Sequence, residues 1–142
     1  MEVLKLKKIT HIIFAIVTLL LISTNMQAQK RSSCMSGDCK NGPGLQVWEN
    51  GERYEGWFKN GMRDGYGFMT YENGNTYIGE WSENLRYGHG GITFKDHEVK
   101  VKYVGEWKAN NIHGYGSLHL KRNKYQIGYW NKNQFNAIDK VN

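Results

Sequence analysis

The sequence predicts an all-β domain made of repeated β-hairpins, and three observations favour this fold class. A Tyr-x-Gly-x-aromatic motif at residues 54–58 returns at 77–81 and 103–107, and its glycines, continued by Gly128, are spaced 23, 26 and 23 residues apart. Within each copy the aromatic and apolar residues alternate with a period of two, which is typical of strands. Turn-forming pairs such as Asn60-Gly61 separate these runs. A repeat of 20–50 residues indicates tandem structural units.

Each unit begins with a strand that has one aromatic face. Tyr54, Gly56 and Phe58 share a face because alternate residues of a strand point the same way. The second strand begins with Gly-x-Gly nine residues after the motif glycine, as in Gly65-Tyr66-Gly67. Apolar side chains follow on the same face as this glycine pair, with Met69, Ile92 and Leu118 in one column. The opposite face of both strands is mixed and mostly solvated.

The turns fall into two alternating sets. The first set is Asn60-Gly61 and its later copies, whose second residue is Gly or Asn, the types that best tolerate positive φ. The second set includes Asn50-Gly51 and Asn73-Gly74, and Asn-Gly between alternating runs is a strong hairpin signal. Residues 95–102 contain the three extra residues of the longer repeat, so a longer or bulged hairpin is expected there.

Glycine inside a strand needs a reason, because it destabilises a strand by roughly 0.5–1 kcal/mol relative to alanine. Strand glycines often mark a close approach of another group. We expect the tyrosine and tryptophan rings of each unit to lie on the bare backbone of the next. The residues assigned to this repeated framework are Tyr54, Gly56, Gly65, Gly67, Tyr77, Gly79, Trp81, Gly88, Gly90, Tyr103, Gly105, Trp107, Gly114, Gly116, Gly128 and Trp130.

The first 28 residues have the pattern of a helical secretory signal peptide. Three lysines at positions 5, 7 and 8 precede an eleven-residue apolar run at 12–22, and a polar segment ends at Ala28, where cleavage is expected. An uncleaved membrane anchor is the alternative, although eleven apolar residues are short for a bilayer span. The chain is therefore expected to be exported to a periplasmic, cell-surface or secreted location.

Charge and cysteine content agree with an exported chain that does not bind nucleic acid. Removal of residues 1–28 lowers the formal charge from +6 to +4, and the remaining basic residues are interleaved with acids and form no basic stripe. Cys34 and Cys39 are separated by four residues, and a disulfide is the expected state in an oxidising compartment. Neither a metal-ligand spacing nor a two-residue redox spacing is present.

The repeated Tyr-x-Gly-x-Trp, turn and Gly-x-Gly pattern resembles the MORN repeat, the membrane occupation and recognition nexus motif. Phe58, Gln126 and Ala137 depart from that pattern. The resemblance implies an elongated, single-layer antiparallel sheet of stacked hairpins. It also implies a non-catalytic module that binds proteins, associates with membranes or forms dimers. The expected organisation is a signal peptide at 1–28, a flexible segment at 29–36, a repeat domain at 37–133 and a tail at 134–142. The repeat domain divides into a degenerate unit at 37–53, units at 54–76, 77–102 and 103–124, and a half unit at 125–133.

The residue patterns do not predict an enzyme or a cofactor, because nucleophile elbows, phosphate loops and metal-ligand spacings are missing from the sequence. An exported interaction or scaffold module with a protein or cell-envelope partner is favoured, and homodimerisation stays open. Aromatic residues on the face opposite the tyrosine and glycine columns are the predicted partner contacts. The alternative is that these rings only cover a second small cluster. They are Trp57, Tyr66, Phe68, Tyr115 and Tyr129.

Two further functions remain as alternatives. A peripheral membrane protein would use basic residues near one set of turns to bind anionic head groups, at roughly 1 kcal/mol for each residue near the surface. These residues are Lys95, Lys100, Lys102, Lys121, Arg122 and Lys124, with Asp96 and Glu98 nearby. A weaker alternative is glycan binding by the exposed aromatic rings.

Overall fold

A single antiparallel sheet makes up the described part of the chain. The computed structural model describes residues 31–136, and this part contains ten strands and no helix. The strands are β1 (Ser32–Gly37), β2 (Pro43–Trp48), β3 (Arg53–Lys59), β4 (Met62–Thr70), β5 (Thr76–Ser82), β6 (Leu85–Thr93), β7 (Lys100–Lys108), β8 (Asn111–Leu120), β9 (Lys124–Asn131) and β10 (Gln134–Asn136). Each strand pairs with the next in chain order, which confirms the predicted sheet of tandem hairpins.

The predicted signal peptide and its cleavage site lie outside the described residues, as does most of the predicted tail. Within residues 31–136 the structure contains no helix that is long and apolar enough to cross a bilayer.

A row of paired glycines crosses the sheet. Gly56 pairs with Gly67, which in turn pairs with Gly79. The complete row, one glycine from each of nine neighbouring strands, is Gly37, Gly44, Gly56, Gly67, Gly79, Gly90, Gly105, Gly116 and Gly128. The sheet therefore has a strip of bare backbone running across all of these strands.

The hydrophobic core lies on one side of the sheet, here called the front face. Its buried side chains are Tyr54, Phe58, Met69, Tyr77, Trp81, Ile92, Tyr103, Trp107, Ile112, Leu118 and Trp130. The three tyrosines are fully buried, and each hydroxyl donates to a backbone carbonyl three residues ahead. The Oη–O distances are 3.1 Å for Tyr54 to Trp57, 3.1 Å for Tyr77 to Glu80 and 3.2 Å for Tyr103 to Glu106.

The tyrosine rings lie on glycines of their own hairpin, so the expectation that they cover the next unit is wrong. A methyl group added at Gly67 would overlap the ring of Tyr54, and one added at Gly90 would overlap Tyr77. The strand register explains this contact. The glycine two residues after each tyrosine pairs with a glycine of the second strand of the same hairpin, and that second glycine lies within reach of the tyrosine ring.

Tryptophans join successive hairpins instead. The ring centroids of Trp81 and Tyr54 are 5.4 Å apart, and those of Trp107 and Tyr77 are 5.3 Å apart, both edge to face. The Trp107 indole also donates to the Gly90 carbonyl of the preceding hairpin, with an Nε1–O distance of 3.0 Å. Edge-to-face pairs contribute about 0.5–1.5 kcal/mol beyond their buried area, so these contacts couple the repeats.

The turns at β3–β4, β5–β6, β7–β8 and β9–β10 have two residues each, and both residues have positive φ. The sequence predicts this for the second residue, but Glu83, Ala109 and Lys132 adopt it at the first. The asparagine at the second position links the turns of neighbouring hairpins. Asn84 Oδ1 accepts from the Arg63 backbone amide at 2.9 Å, and Asn110 Oδ1 accepts from that of Arg86 at 2.9 Å.

Both ends of the repeat domain are more ordered than the sequence suggests. The segment expected to be flexible is largely strand β1, which pairs with β2 and is closed by the Cys34–Cys39 disulfide. At the other end, Lys132 and Asn133 form the usual two-residue turn, so β10 pairs with β9 where a tail was expected. In the long repeat, residues 94–99 form the expected longer loop, followed by a bulge between Lys100 and Lys102.

Candidate functional site

An open groove lies on the side of the sheet opposite the core, here called the back face. A hollow of about 510 Å³ has the backbone of Gly56 and Gly67 in its floor and Trp57, Tyr66 and Phe68 in its walls. A second hollow of about 450 Å³ continues across Gly90 and Gly105 and shares Tyr66 and Ile78 with the first. The two hollows together are called the back-face groove, and the strip of bare backbone forms its floor.

One part of the groove's aromatic wall is specific to the first repeat, namely the residue at the bulge in the first strand of the hairpin. Trp57 occupies it in the first repeat, and its side chain lies against Gly65. The second and third repeats have Glu80 and Glu106 there.

Those two glutamates serve their own hairpins. Glu80 Oε1 accepts from the His89 backbone amide at 2.8 Å, and Glu106 Oε1 accepts from that of Tyr115 at 2.7 Å. An indole ring carries no acceptor for such a bond. The first repeat thus has an exposed ring where the other repeats have a carboxylate that caps a backbone amide.

The structure separates the five predicted partner contacts into two groups. Trp57, Tyr66 and Phe68 meet in the groove, with exposed fractions of 54%, 57% and 40%. Tyr115 and Tyr129 lie together on β8 and β9, with ring centroids 5.4 Å apart. Tyr115 and Tyr129 are also exposed, at 46% and 58%, so both groups are accessible to a partner. The first group lines the groove, and the second forms an edge-to-face pair outside its lining.

Sequence reasoning missed the aliphatic residues of the groove, which include Leu45. Ile78 and Val104 line it and are about half exposed. Their position on the back face of β5 and β7 was the available signal, but an aliphatic side chain on a strand does not indicate a binding contact as an aromatic ring does.

The predicted basic cluster is only partly assembled. Lys102, Lys121 and Arg122 line a hollow of about 350 Å³ together with His119 and Tyr125. A backbone bond from Lys121 N to Val99 O, 2.8 Å long, ties the two loops that supply this hollow.

The other basic residues are placed separately. Lys95 packs near Gly74, and Lys124 begins strand β9. The Nζ atom of Lys100 lies 5.7 Å from the centroid of the Phe94 ring on the front face.

The perturbed pKa values belong mostly to the core. Burial raises the pKa of Tyr54 and of Tyr103 to about 12 and raises that of Tyr77 further, while burial lowers the pKa of Arg63. All four side chains lie at the front-face rings. Among residues 31–136 no group of three or more His, Cys, Asp and Glu side chains is arranged to hold a metal ion.

Comparison with known families agrees with the repeat geometry. The MORN repeat model matches residues 54–76, 77–99 and 103–122, which coincide with hairpins β3–β4, β5–β6 and β7–β8. The chain contains three MORN repeats. MORN repeats are generally non-catalytic modules that bind proteins or membranes. No curated protein matches the chain significantly.

Proposed function

We propose that this MORN-repeat protein is an exported, non-catalytic scaffold or adaptor that binds a protein or cell-envelope component through the back-face groove. The observation that carries the proposal is the exposed wall formed by Trp57, Tyr66 and Phe68 over a hollow of about 510 Å³. Exposed apolar patches of this kind mark interaction sites, and tryptophan and tyrosine are the residues most enriched at binding hot spots.

The bare floor of the groove supports binding of an extended partner. Glycines leave the backbone unshielded, so a partner segment can approach the sheet closely between the aromatic wall and Ile78. The carboxylate that caps a backbone amide in the later repeats is replaced by Trp57 here. The first repeat is therefore the part of the back face best suited to apolar contact.

Export is supported by the signal-like residues 1–28 and by the Cys34–Cys39 disulfide, a bond that oxidising compartments preserve. Cell fractionation and mass measurement of the recovered chain test this part. A mature chain beginning at Gln29 outside the cytoplasm is expected, and a full-length cytoplasmic chain with free thiols would contradict it.

Partner binding is tested with a back-face pair of variants. Three chains are used to capture proteins and polymers from the cell envelope. They are the wild type, a groove variant with Trp57→Ser and Tyr66→Ser, and a matched control with Tyr115→Ser and Tyr129→Ser. Components retained by the wild type and the Tyr115/Tyr129 variant, but lost by the groove variant, are expected. Equal retention by all three chains would contradict a role for the groove.

A second candidate function is peripheral membrane association, favoured by the hollow that Lys102, Lys121 and Arg122 share. Sedimentation with vesicles that contain anionic lipid tests it at low and high salt. Salt-sensitive binding that a Lys121→Gln/Arg122→Gln variant loses would support this function. Absence of binding at low salt would exclude it and leave the groove proposal intact.

A further inference from the structure

A cleft of about 480 Å³ opens on the front face near the carboxyl-terminal end of the sheet. Trp107, Leu118 and Trp130 form apolar walls, and Ile112 lies among them. It is separate from the back-face groove because its lining side chains belong to the core side of the sheet.

The cleft lies where the repeat pattern changes. Arg63 and Arg86 occupy equivalent places at the starts of β4 and β6, and each guanidinium carbon lies 4.4 Å from the centroid of a tryptophan ring, Trp81 and Trp107 respectively. The third equivalent residue is Ile112, which pairs with Trp107 as Arg86 pairs with Trp81. Isoleucine is shorter than arginine, so it fills less of the space beside Trp130, where the Phe135 ring lies 4.9 Å away between centroids.

A second change widens the same space. The column of buried tyrosines formed by Tyr54, Tyr77 and Tyr103 continues as Gln126 in β9, and Gln126 lines the cleft. At the cleft, the arginine of the earlier repeats is therefore replaced by Ile112, and the tyrosine is replaced by Gln126.

The cleft has positive charge beside its apolar surface. Lys100 and Arg86 line it, and no carboxylate is among its lining residues in the described part of the chain. Arg86 binds the neutral Asn110, with an Nη2–O distance of 3.0 Å, so this contact does not cancel its charge. A charged partner in such an apolar setting gains more from electrostatic attraction than it would in water.

We propose that this front-face cleft binds an anionic amphiphile, with the apolar part against Trp107 and Trp130 and the acidic group beside Lys100 and Arg86. A volume of about 480 Å³ lies within the roughly 300–1,000 Å³ that small-molecule sites occupy. The inference does not rest on partner binding at the back-face groove.

The probe for this site is 12-bromododecanoate, because bromine quenches the fluorescence of the tryptophans that line the cleft. The purified protein is titrated below the concentration at which micelles form, and dodecanol competes as a neutral analogue of dodecanoate. Saturable quenching is expected, with dodecanoate competing about tenfold more strongly than dodecanol because of the charge contribution. Equal competition by the acid and the alcohol would overturn the assignment of the acidic group.

Two variants locate the binding. Ile112→Arg restores the repeat pattern, so it is expected to fill the cleft and abolish quenching while circular dichroism and melting temperature show a folded sheet. Lys100→Gln is expected to weaken the acid about tenfold and leave the alcohol unchanged. Unaltered affinity in a folded Ile112→Arg variant would overturn the site.

Residues 137–142 provide the remaining test, because they follow Phe135, which also lines the cleft. The full chain and a chain ending at Asn136 are expected to bind 12-bromododecanoate with the same affinity. Quenching that appears only after this truncation would mean that the terminal segment fills the cleft, and it would overturn binding of an external ligand.

Discussion

The two faces of this sheet follow different rules, although they are built from alternate residues of the same strands. On the front face, Tyr54, Tyr77 and Tyr103 repeat with hydroxyl hydrogen bonds that differ by only 0.1 Å between 3.1 and 3.2 Å. On the back face the bulge position is Trp57 in one repeat and glutamate in the next two. The front face determines how hairpins stack, and the back face is where repeats differ from one another.

The physical reason is the space available on each side. A front-face tyrosine ring lies directly on the glycine row, so neither the ring nor the glycine can change alone. The back-face positions between the glycines accept Tyr66, His89 and Tyr115 in turn, because they point to solvent. Variation on this face costs the fold little, which leaves it available for binding.

The largest expected effect on stability is the difference between removing a ring from the front face and removing one from the back face. Tyr77→Ala removes a fully buried ring that contacts Trp81 and Trp107, so a loss of roughly 3–5 kcal/mol in the free energy of unfolding is expected. Tyr66→Ala removes a ring that is 57% exposed, so a change within about 0.5 kcal/mol is expected. Urea denaturation of both variants measures the difference. Equal losses would mean that the two faces contribute alike to stability.

High pH is expected to lower the stability of the fold by a smaller amount, through the buried tyrosines of the front face. Burial raises the pKa of Tyr54 and Tyr103 from 10.0 to about 12, so the folded state favours the neutral phenol. This stability is complete below pH 10 and is lost as pH rises from 10 towards 12. At pH 11 the loss is on the order of 1 kcal/mol for each buried phenol.

Denaturant midpoints between pH 8 and 11.5, with phenolate absorbance recorded alongside, measure this dependence. Ionisation of Tyr54 and Tyr103 near pH 10 without loss of structure would contradict the buried front face.

The sequence predicts the strands and the core because period, parity and turn chemistry all depend on local residue types. It does not predict which hairpin a ring covers, since that depends on register. The sequence predicts that Tyr54 covers glycines of the next unit, whereas its ring lies on Gly67 of its own hairpin. The aromatic side of the groove was predicted from the parity of Trp57, Tyr66 and Phe68. The front-face cleft was not, because it arises from the shorter side chain of Ile112, which the pattern alone presents as one more apolar residue.

The smallest expected effect lies in a turn, away from both faces. Ala109 has a φ of 48°, a left-handed conformation that asparagine tolerates better than alanine. Ala109→Asn is expected to raise the free energy of unfolding by roughly 0.5–1 kcal/mol. The control is Lys108→Asn, one residue earlier in strand β7, where no gain is expected. A gain at position 108 equal to that at 109 would contradict the turn explanation.

Two neighbouring glycines test the contrast between the faces most directly. A methyl group at Gly90 would overlap the ring of Tyr77, whereas one at Gly91 would make ordinary contacts 3.4 Å from the Tyr103 carbonyl oxygen and 3.5 Å from Val104. In thermal and urea denaturation, Gly90→Ala is expected to lose roughly 1–3 kcal/mol. Gly91→Ala is expected to be neutral or to gain up to about 1 kcal/mol. Similar losses in both variants would contradict the division of the sheet into a constrained front and a permissive back.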